Sequence, residues 1–146
     1  MDSRINIKTL EPAAYQAMMA LENYGKTCAL DPISKELIKI RASQINGCAY
    51  CLDMHTEDAI NLGENPRRIF ALSAWKESHL FSEKEKVLLQ VTEEITNISA
   101  NGVSDETYEA ILSAFGEQMT AQIIMLIVTI NAWNRIAVST RLICKQ

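Results

Sequence analysis

The chain has 146 residues, of which 48% are hydrophobic and 22% are charged, and its formal net charge is −4 at pH 7. This length suits one domain with one core, so we expect residues 1–146 to form a single folded domain. The negative charge argues against a general nucleic-acid binder, which needs a basic patch, and against electrostatic attraction to anionic membranes.

The expected cellular compartment decides whether the cysteines can form structural disulfides. The first twenty residues lack the uninterrupted apolar segment of a secretory signal. The longest apolar run, around Leu126, is broken by Thr129 and Asn131, and we expect it to be too short to span a bilayer. We therefore expect a cytoplasmic protein. In that reducing compartment the four cysteines should not form structural disulfides, and a CxxC motif is more often catalytic or metal-binding.

The pattern of residues predicts an all-α protein of about six or seven helices. Glycines and prolines are few, and β-branched runs are short. Residues 1–10 are expected to be extended or frayed. Capping residues, glycines and apolar periodicity predict helices over residues 12–24 (ended by Gly25), 32–45, 48–61, 66–72, 83–97, 107–115 (ended by Gly116) and 118–142.

The last predicted helix is apolar almost all round over residues 123–128. Such a helix lies either at the centre of a core or in a subunit interface. Its second half carries Asn131, Asn134 and Arg135, which we expect to be hydrogen-bonded rather than exposed.

Three chemically versatile residues stand outside any motif. Cys28 and Cys144 have no partner at motif spacing, so we expect packed or inert thiols. His79 is expected to be a surface or loop residue rather than a catalytic one.

One stretch combines residue types and spacing that indicate chemistry. Cys48 and Cys51 form a CxxC motif, and His55 follows Cys51 by four residues. On a helix, residues three or four apart share a face, so a base lies one turn from Cys51 and the two sulfurs can form a disulfide. The first helical turn also favours a thiolate through its free N–H groups and the helix dipole, an effect strongest at Cys48. We nevertheless assign the reactive thiolate to Cys51, because a positioned base also removes the proton.

Glu36 is predicted to reach this motif from the preceding helix. If the two helices form a corner at residues 46–47, Glu36 lies roughly 16 Å and His55 roughly 12 Å from that corner along antiparallel axes. Glu36 can therefore contact His55 more easily than either sulfur. This geometry predicts a relay in which Glu36 orients His55 and His55 deprotonates Cys51.

Three other interpretations of these residues remain open at this point. Cys48, Cys51, His55 and Glu36 could bind zinc, although the second distant Cys/His pair of structural zinc sites is missing. The two cysteines could be ordinary core residues. Glu36 could be only a solvated charge on a helix face.

The pattern Glu36-x11-Cys48-x2-Cys51-x3-His55 resembles the active site of the AhpD-like alkyl hydroperoxidases, in the carboxymuconolactone decarboxylase superfamily. The resemblance covers most of the chain, including RASQINGCAYCLDMHTEDA, AWKESHLFSEKEKVLLQVTEEIT and INAWNRIAVSTR, and fits the small single-domain members.

This resemblance implies an orthogonal helical bundle and a peroxidase that needs no cofactor and no metal. Cys51 would be oxidised by a hydroperoxide to a sulfenic acid, and Cys48 would close the disulfide. His55 and Glu36 would relay protons. The family also implies a homo-oligomer, commonly a trimer or hexamer, and a dithiol protein reductant, either a lipoyl domain or a thioredoxin-like protein.

Tyr50 marks a departure from the family pattern. The best-known peroxidases of the family often carry histidine immediately before the second cysteine. The phenol of Tyr50 can donate a hydrogen bond but does not act as a base near neutral pH. Two alternatives to a peroxidase are a redox switch or dithiol/disulfide exchange module without turnover and, more weakly, a decarboxylase-type enzyme.

Overall fold

The computed structural model describes residues 3–144, and all its regular secondary structure is helical. Within these residues there are eight α-helices and one 3₁₀ helix, η1: α1 (Ile7–Leu10), α2 (Pro12–Thr27), α3 (Pro32–Asn46), α4 (Ala49–Asn61), α5 (Pro66–Ala71), η1 (Leu72–Glu77), α6 (Glu83–Thr96), α7 (Ile98–Asn101) and α8 (Asp105–Thr140). The predicted all-α class is confirmed. The α-helices outnumber the predicted six or seven because α1 and α7 are single turns.

Local capping chemistry explains where the main helices begin. Asp31 accepts the backbone N–H of Ser34 at the start of α3, with Pro32 as the first helical residue. Ser82 and Glu85 form the predicted capping box of α6, each side chain accepting the other's backbone N–H. Ser104 caps α8 by accepting the N–H of Thr107. These side chains satisfy donors that the first turn of a helix leaves free.

Two predictions about the N-terminal third of the chain were wrong. Residues 7–10 form α1 rather than an extended segment, because Asn6 caps this turn by accepting the N–H of Thr9. Gly25 does not end α2, which continues to Thr27. Gly25 is instead a point of close packing, since an added Cβ would lie 3.0 Å from Cδ2 of Leu126 on α8.

The predicted break at Gly116 is present, but it is a kink without a loop. Gly116 has φ 74° and ψ 166°, outside the helical region, and helical residues lie on both sides of it. The positive φ suits glycine. The second segment of α8, which follows Gly116, ends at Thr140, two residues before the predicted end. The next residue, Arg141, adopts a left-handed conformation.

The second segment of α8 is the central element of the fold. It packs against α3 and α6, and its buried residues Ile123, Ile127 and Ile130 belong to the main core cluster. By length and by a mean hydropathy of 1.5 in its most apolar window, α8 could cross a membrane, contrary to the sequence-based expectation. Its core contacts are equally those of a central helix in a globular fold.

A buried polar network joins α8 to the end of α3. Nδ2 of Asn46 donates to Oδ1 of Asn134 at 2.9 Å and to Oδ1 of Asn131 at 3.0 Å. Nδ2 of Asn134 donates to Oγ of Ser43 at 2.9 Å. Arg135 is exposed, but it donates to the backbone and side-chain oxygens of Asn131. The prediction of hydrogen bonding is confirmed for all three α8 residues, whereas that of burial fails for Arg135.

Asn134→Ala is expected to lower the free energy of unfolding by about 1–3 kcal/mol. Asn134 is fully buried, so the truncation leaves the amide of Asn46 and the fully buried hydroxyl of Ser43 with fewer hydrogen-bond partners. Denaturant unfolding measures the effect. The exposed Asn101→Ala serves as the control and should change stability by less than about 0.5 kcal/mol. Equal effects of the two substitutions would contradict the assignment.

Candidate active site

The corner between α3 and α4 brings the predicted site residues together. Gly47 ends α3 in a left-handed conformation with φ 64°, and the backbone N–H of Cys48 donates back to the carbonyl oxygen of Ser43 at 3.0 Å. The chain then turns into α4, which packs against α3. The corner predicted at residues 46–47 is therefore present.

Cys48 and Cys51 form a disulfide across the first turn of α4. Cys48 is the N-cap residue of this helix, and its Sγ lies 3.3 Å from the backbone nitrogen of Cys51, which donates to it. Both cysteines are buried, with exposed fractions of 1% and 2%. The helix N-terminus is positioned to stabilise a thiolate at either sulfur when the disulfide is reduced.

Glu36 and His55 meet inside the protein. Nδ1 of His55 lies 2.8 Å from Oε2 of Glu36, and both side chains are buried. Because an ionised carboxylate can only accept, Nδ1 carries the proton and donates it, which leaves Nε2 as the basic nitrogen. The interpretation of Glu36 as a solvated surface charge is therefore wrong.

The charge of Glu36 is maintained by its partners. Burial by itself raises the pKa of the Glu36 carboxyl, but the hydrogen bond from His55 and the charge of Lys39 outweigh it, so the pKa lies below the usual 4.5. Nζ of Lys39 lies 2.9 Å from Oε1 of Glu36. Each carboxylate oxygen thus has its own partner.

Acidification is expected to remove the stabilisation that Glu36 provides. Its pKa is lower in the folded chain than in the unfolded chain, so the contribution is full above the unfolded value near 4.5 and is lost as pH falls through the folded value. The unfolding free energies of the wild type and Glu36→Gln should therefore converge as the pH falls below about 4.5. A difference that does not change over this range would contradict the shift.

A cavity of about 370 Å³ opens beside Cys51 and His55, and we call it the dithiol cavity. Its wall is largely apolar and aromatic and includes Tyr15, Met19, Tyr50, Met54, Trp133, Ile136 and Ala137. Residues 6–8, Thr140 and Leu142 also contribute to it. Among the described residues, Cys48 is not part of this wall, so Cys51 is the sulfur that a molecule in the cavity meets first.

The candidate metal ligands do not include the dithiol. Among residues 3–144, the side chains of Glu36, His55 and Asp58 place ligand atoms within 4.8 Å of one another. Neither cysteine belongs to this group, so the four-residue zinc set considered from the sequence is not assembled. The ammonium group of Lys39 already pairs with Glu36, which disfavours a second cation there.

The remaining predicted residues take the expected places. Tyr50 is partly buried and lines the dithiol cavity. His79 is exposed between η1 and α6. Cys28 is a buried free thiol in the main core cluster, and Cys144 is a partly exposed free thiol.

Residues that the sequence reasoning missed also surround the site. Lys39, Glu22 and Trp133 form a chain of contacts to Glu36, and α1 supplies part of the cavity wall. Of these, Lys39 could have been found from the sequence, since it follows Glu36 by three residues on a predicted helix.

Comparison with known proteins identifies the family. Residues 12–94, more than half of the chain, match the model of the carboxymuconolactone decarboxylase family. An uncharacterised Bacillus subtilis protein, YdfG, is 40% identical over 139 residues, which cover 95% of each chain.

Solved structures share the fold. A crystal structure from Agrobacterium tumefaciens, of a protein of unknown function assigned to AhpD-type antioxidant defence, superposes with a TM-score of 0.96 at 38% identity over 99% of both chains. An uncharacterised peroxidase-related protein from a Silicibacter species reaches a TM-score of 0.80 at 23% identity, covering 89% of this chain and 69% of its own. The chain is therefore an AhpD-like member of the carboxymuconolactone decarboxylase family.

Proposed function

We propose that this protein is a thiol-dependent hydroperoxide reductase in which Cys51 attacks the peroxide, Cys48 resolves the product, and Glu36 and His55 relay the proton. The observation that carries the proposal is the buried contact of 2.8 Å between Glu36 and His55, with His55 lining the same cavity as Cys51. A base held by a carboxylate beside a thiol is the arrangement that activates sulfur nucleophiles. The likeness to an AhpD-type antioxidant defence protein supports the same chemistry.

The reaction begins with the reduced dithiol. Nε2 of His55 takes the proton of Cys51, and the thiolate attacks the terminal oxygen of a hydroperoxide. The O–O bond breaks, Cys51 becomes a sulfenic acid, and the proton passes from His55 or Cys48 to the departing alkoxide, which leaves as an alcohol. The thiol of Cys48 then displaces water from the sulfenic acid and forms the Cys48–Cys51 disulfide. An external dithiol restores both thiols by exchange and becomes a disulfide itself.

The dithiol cavity favours organic hydroperoxides. Its wall is largely apolar and includes aromatic and sulfur-containing side chains, which bind apolar groups by burying their surface. Tyr50 stands at this wall with a phenol that can donate a hydrogen bond to a peroxide oxygen. The proposed cycle uses no cofactor or metal, because the dithiol itself carries the two electrons.

The proposed partners follow from the cycle and the surface. A protein dithiol, on a lipoyl domain or a thioredoxin-like protein, would supply the reducing electrons in the cytoplasm. The chain would assemble as a trimer or hexamer, in which large apolar side chains that remain exposed on α8, among them Val128 at 41% and Val138 at 48%, could be covered.

Consumption of an organic hydroperoxide in the presence of a small dithiol tests the proposal. The wild type should consume many equivalents, and prior alkylation of the reduced thiols should stop the reaction. The variants Cys28→Ala and Cys144→Ser are matched controls that should retain turnover. A disulfide that forms once with peroxide, without turnover, would replace the proposal with a redox switch. Absence of any reaction with peroxide would reject both.

A further inference from the structure

Lys39 links the proton relay to a second pair of side chains. Its Nζ lies 2.9 Å from Oε1 of Glu36 and 3.8 Å from Oε1 of Glu22 on α2. Oε2 of Glu22 accepts a hydrogen bond of 3.0 Å from Nε1 of Trp133 on α8. The ammonium group is therefore held between two carboxylates that belong to different helices, and one of those carboxylates is fixed by an indole.

The position of Lys39 separates it from the reacting atoms. A second cavity, of about 570 Å³, lies on the other side of His55 and is lined by Lys39, Glu36 and Asp58 among others. His55, Met54 and Glu22 line both this cavity and the dithiol cavity. Among residues 3–144, Lys39 lines the second cavity but not the first. Lys39 does not face Cys51 across the dithiol cavity, and its shortest side-chain contact toward the site is with Glu36, the partner of His55.

The ionisation of Glu36 decides which nitrogen of His55 is basic. An ionised Glu36 accepts the proton of Nδ1 and leaves Nε2 free to act as a base. A protonated Glu36 would instead donate to Nδ1, and the ring would carry its proton on Nε2. Glu36 is buried, a location that favours the protonated form, and Lys39 is the nearest full positive charge that opposes it.

We propose that Lys39 is a positioning residue of the relay, which keeps Glu36 ionised and thereby fixes His55 in the tautomer that can deprotonate Cys51. This inference rests on the proposed function for its catalytic meaning. The effect of Lys39 on the imidazole tautomer of His55 is expected for any thiol chemistry at Cys51.

The substitution Lys39→Met tests the proposal, and Lys39→Arg is the conservative variant that should behave like the wild type. We expect the acid limb of the pH profile for single-turnover oxidation of the dithiol to move upward by about one pH unit in Lys39→Met. Lys39→Arg keeps the charge and should restore the wild-type profile. The matched control is Lys86→Met, because Lys86 pairs with Glu83 at the same i,i+3 spacing, at 3.1 Å, on an exposed helix face. This control should leave the profile unchanged.

Nitrogen-15 NMR of the imidazoles gives a readout that does not require turnover. The chain has only two histidines, His55 and His79, so the resonances can be assigned with a His79→Gln variant. In Lys39→Met, the Nδ1-protonated form of His55 should give way to the Nε2-protonated form at a higher pH than in wild type. A tautomer and a pH profile unchanged in Lys39→Met would overturn the inference, as would a rate loss equal at every pH. A tautomer change in a protein without peroxide turnover would uphold the inference and reject the peroxidase function alone.

Discussion

Cys51→Ser is expected to abolish hydroperoxide consumption, whereas Cys48→Ser should still react once. Cys51 lines the dithiol cavity beside His55, so it is the sulfur that meets the peroxide. Without Cys48 the sulfenic acid on Cys51 has no neighbouring thiol with which to form a disulfide. The Cys48→Ser variant should therefore consume one equivalent of peroxide and then stop reacting. Peroxide titration without reductant counts the equivalents, and mass spectrometry after trapping with a 1,3-dicarbonyl reagent locates the sulfenic acid.

The contrast between the two variants also separates the competing assignments of the nucleophile. Cys48 is the N-cap residue, where the helix dipole acts most directly, and it would be the reactive thiol if the dipole dominated. A sulfenic acid found on Cys48 in the Cys51→Ser variant, with undiminished first-turnover rate, would reverse the assignment. Retained steady-state turnover in Cys51→Ser would reject the dithiol mechanism.

Glu36→Gln and His55→Asn are each expected to lower the rate of Cys51 oxidation by about 10²–10⁴-fold. His55→Asn removes the base. Glu36→Gln keeps a similar shape, but its amide can donate to Nδ1 and so stabilise the wrong tautomer. Because the two residues act as one unit, the double variant should be little slower than either single variant. Stopped-flow measurement of the first turnover, at a pH where all variants are folded, gives the three rates.

Glu64→Gln provides the matched control for these substitutions. Glu64 and Glu36 are both 6% exposed, and Glu64 pairs with Arg68 away from the dithiol cavity. Its substitution should alter stability but leave the oxidation rate within about twofold of wild type, since it touches no group of the relay. A similar rate loss in Glu64→Gln would show that the rate losses in the Glu36 and His55 variants reflect a general disturbance of the fold. Additive losses in the double variant would contradict a coupled Glu36–His55 pair.

Short-range rules were sufficient to predict most of the fold. Capping side chains and glycines mark helix ends because they act within one turn, and the signals at Ser82 and Gly47 correspond to observed boundaries. The single-turn helices escaped prediction because four residues carry too little periodicity. Gly25 was misread because its role depends on Leu126, about a hundred residues away, and no local pattern records that contact.

The site was predictable to the extent that helical geometry fixes distances. Residues 36 and 55 fall at similar heights along two antiparallel helices, so the Glu36–His55 contact could be expected from spacing alone. The contributions of Glu22 and Trp133 could not be predicted in this way, because these residues lie on α2 and α8, whose orientation follows from the packing of the whole core. The resemblance to a family pointed to the same cysteines and to Glu36 and His55. The spacing of Lys39 from Glu36 could be read from the sequence, but its position between Glu36 and Glu22 required the coordinates.

The depth of the disulfide is expected to favour a narrow reductant over a broad one. Thiol exchange needs a sulfur atom to approach along the axis of the S–S bond, yet the two cysteines expose only 1% and 2% of their surface. The wall in front of Cys51 includes residues 6–8, next to Arg4, whose backbone N–H donates to the carbonyl oxygen of Thr140 at 2.9 Å. Of the two proposed reductants, we therefore expect a lipoyl domain, whose dithiol is narrow and carried on a flexible tether, to reduce the disulfide faster than a thioredoxin-like protein, whose thiols lie on a broader surface. In the proposed cycle, the same enclosure would shield the sulfenic acid on Cys51 from bulk thiols until Cys48 reacts.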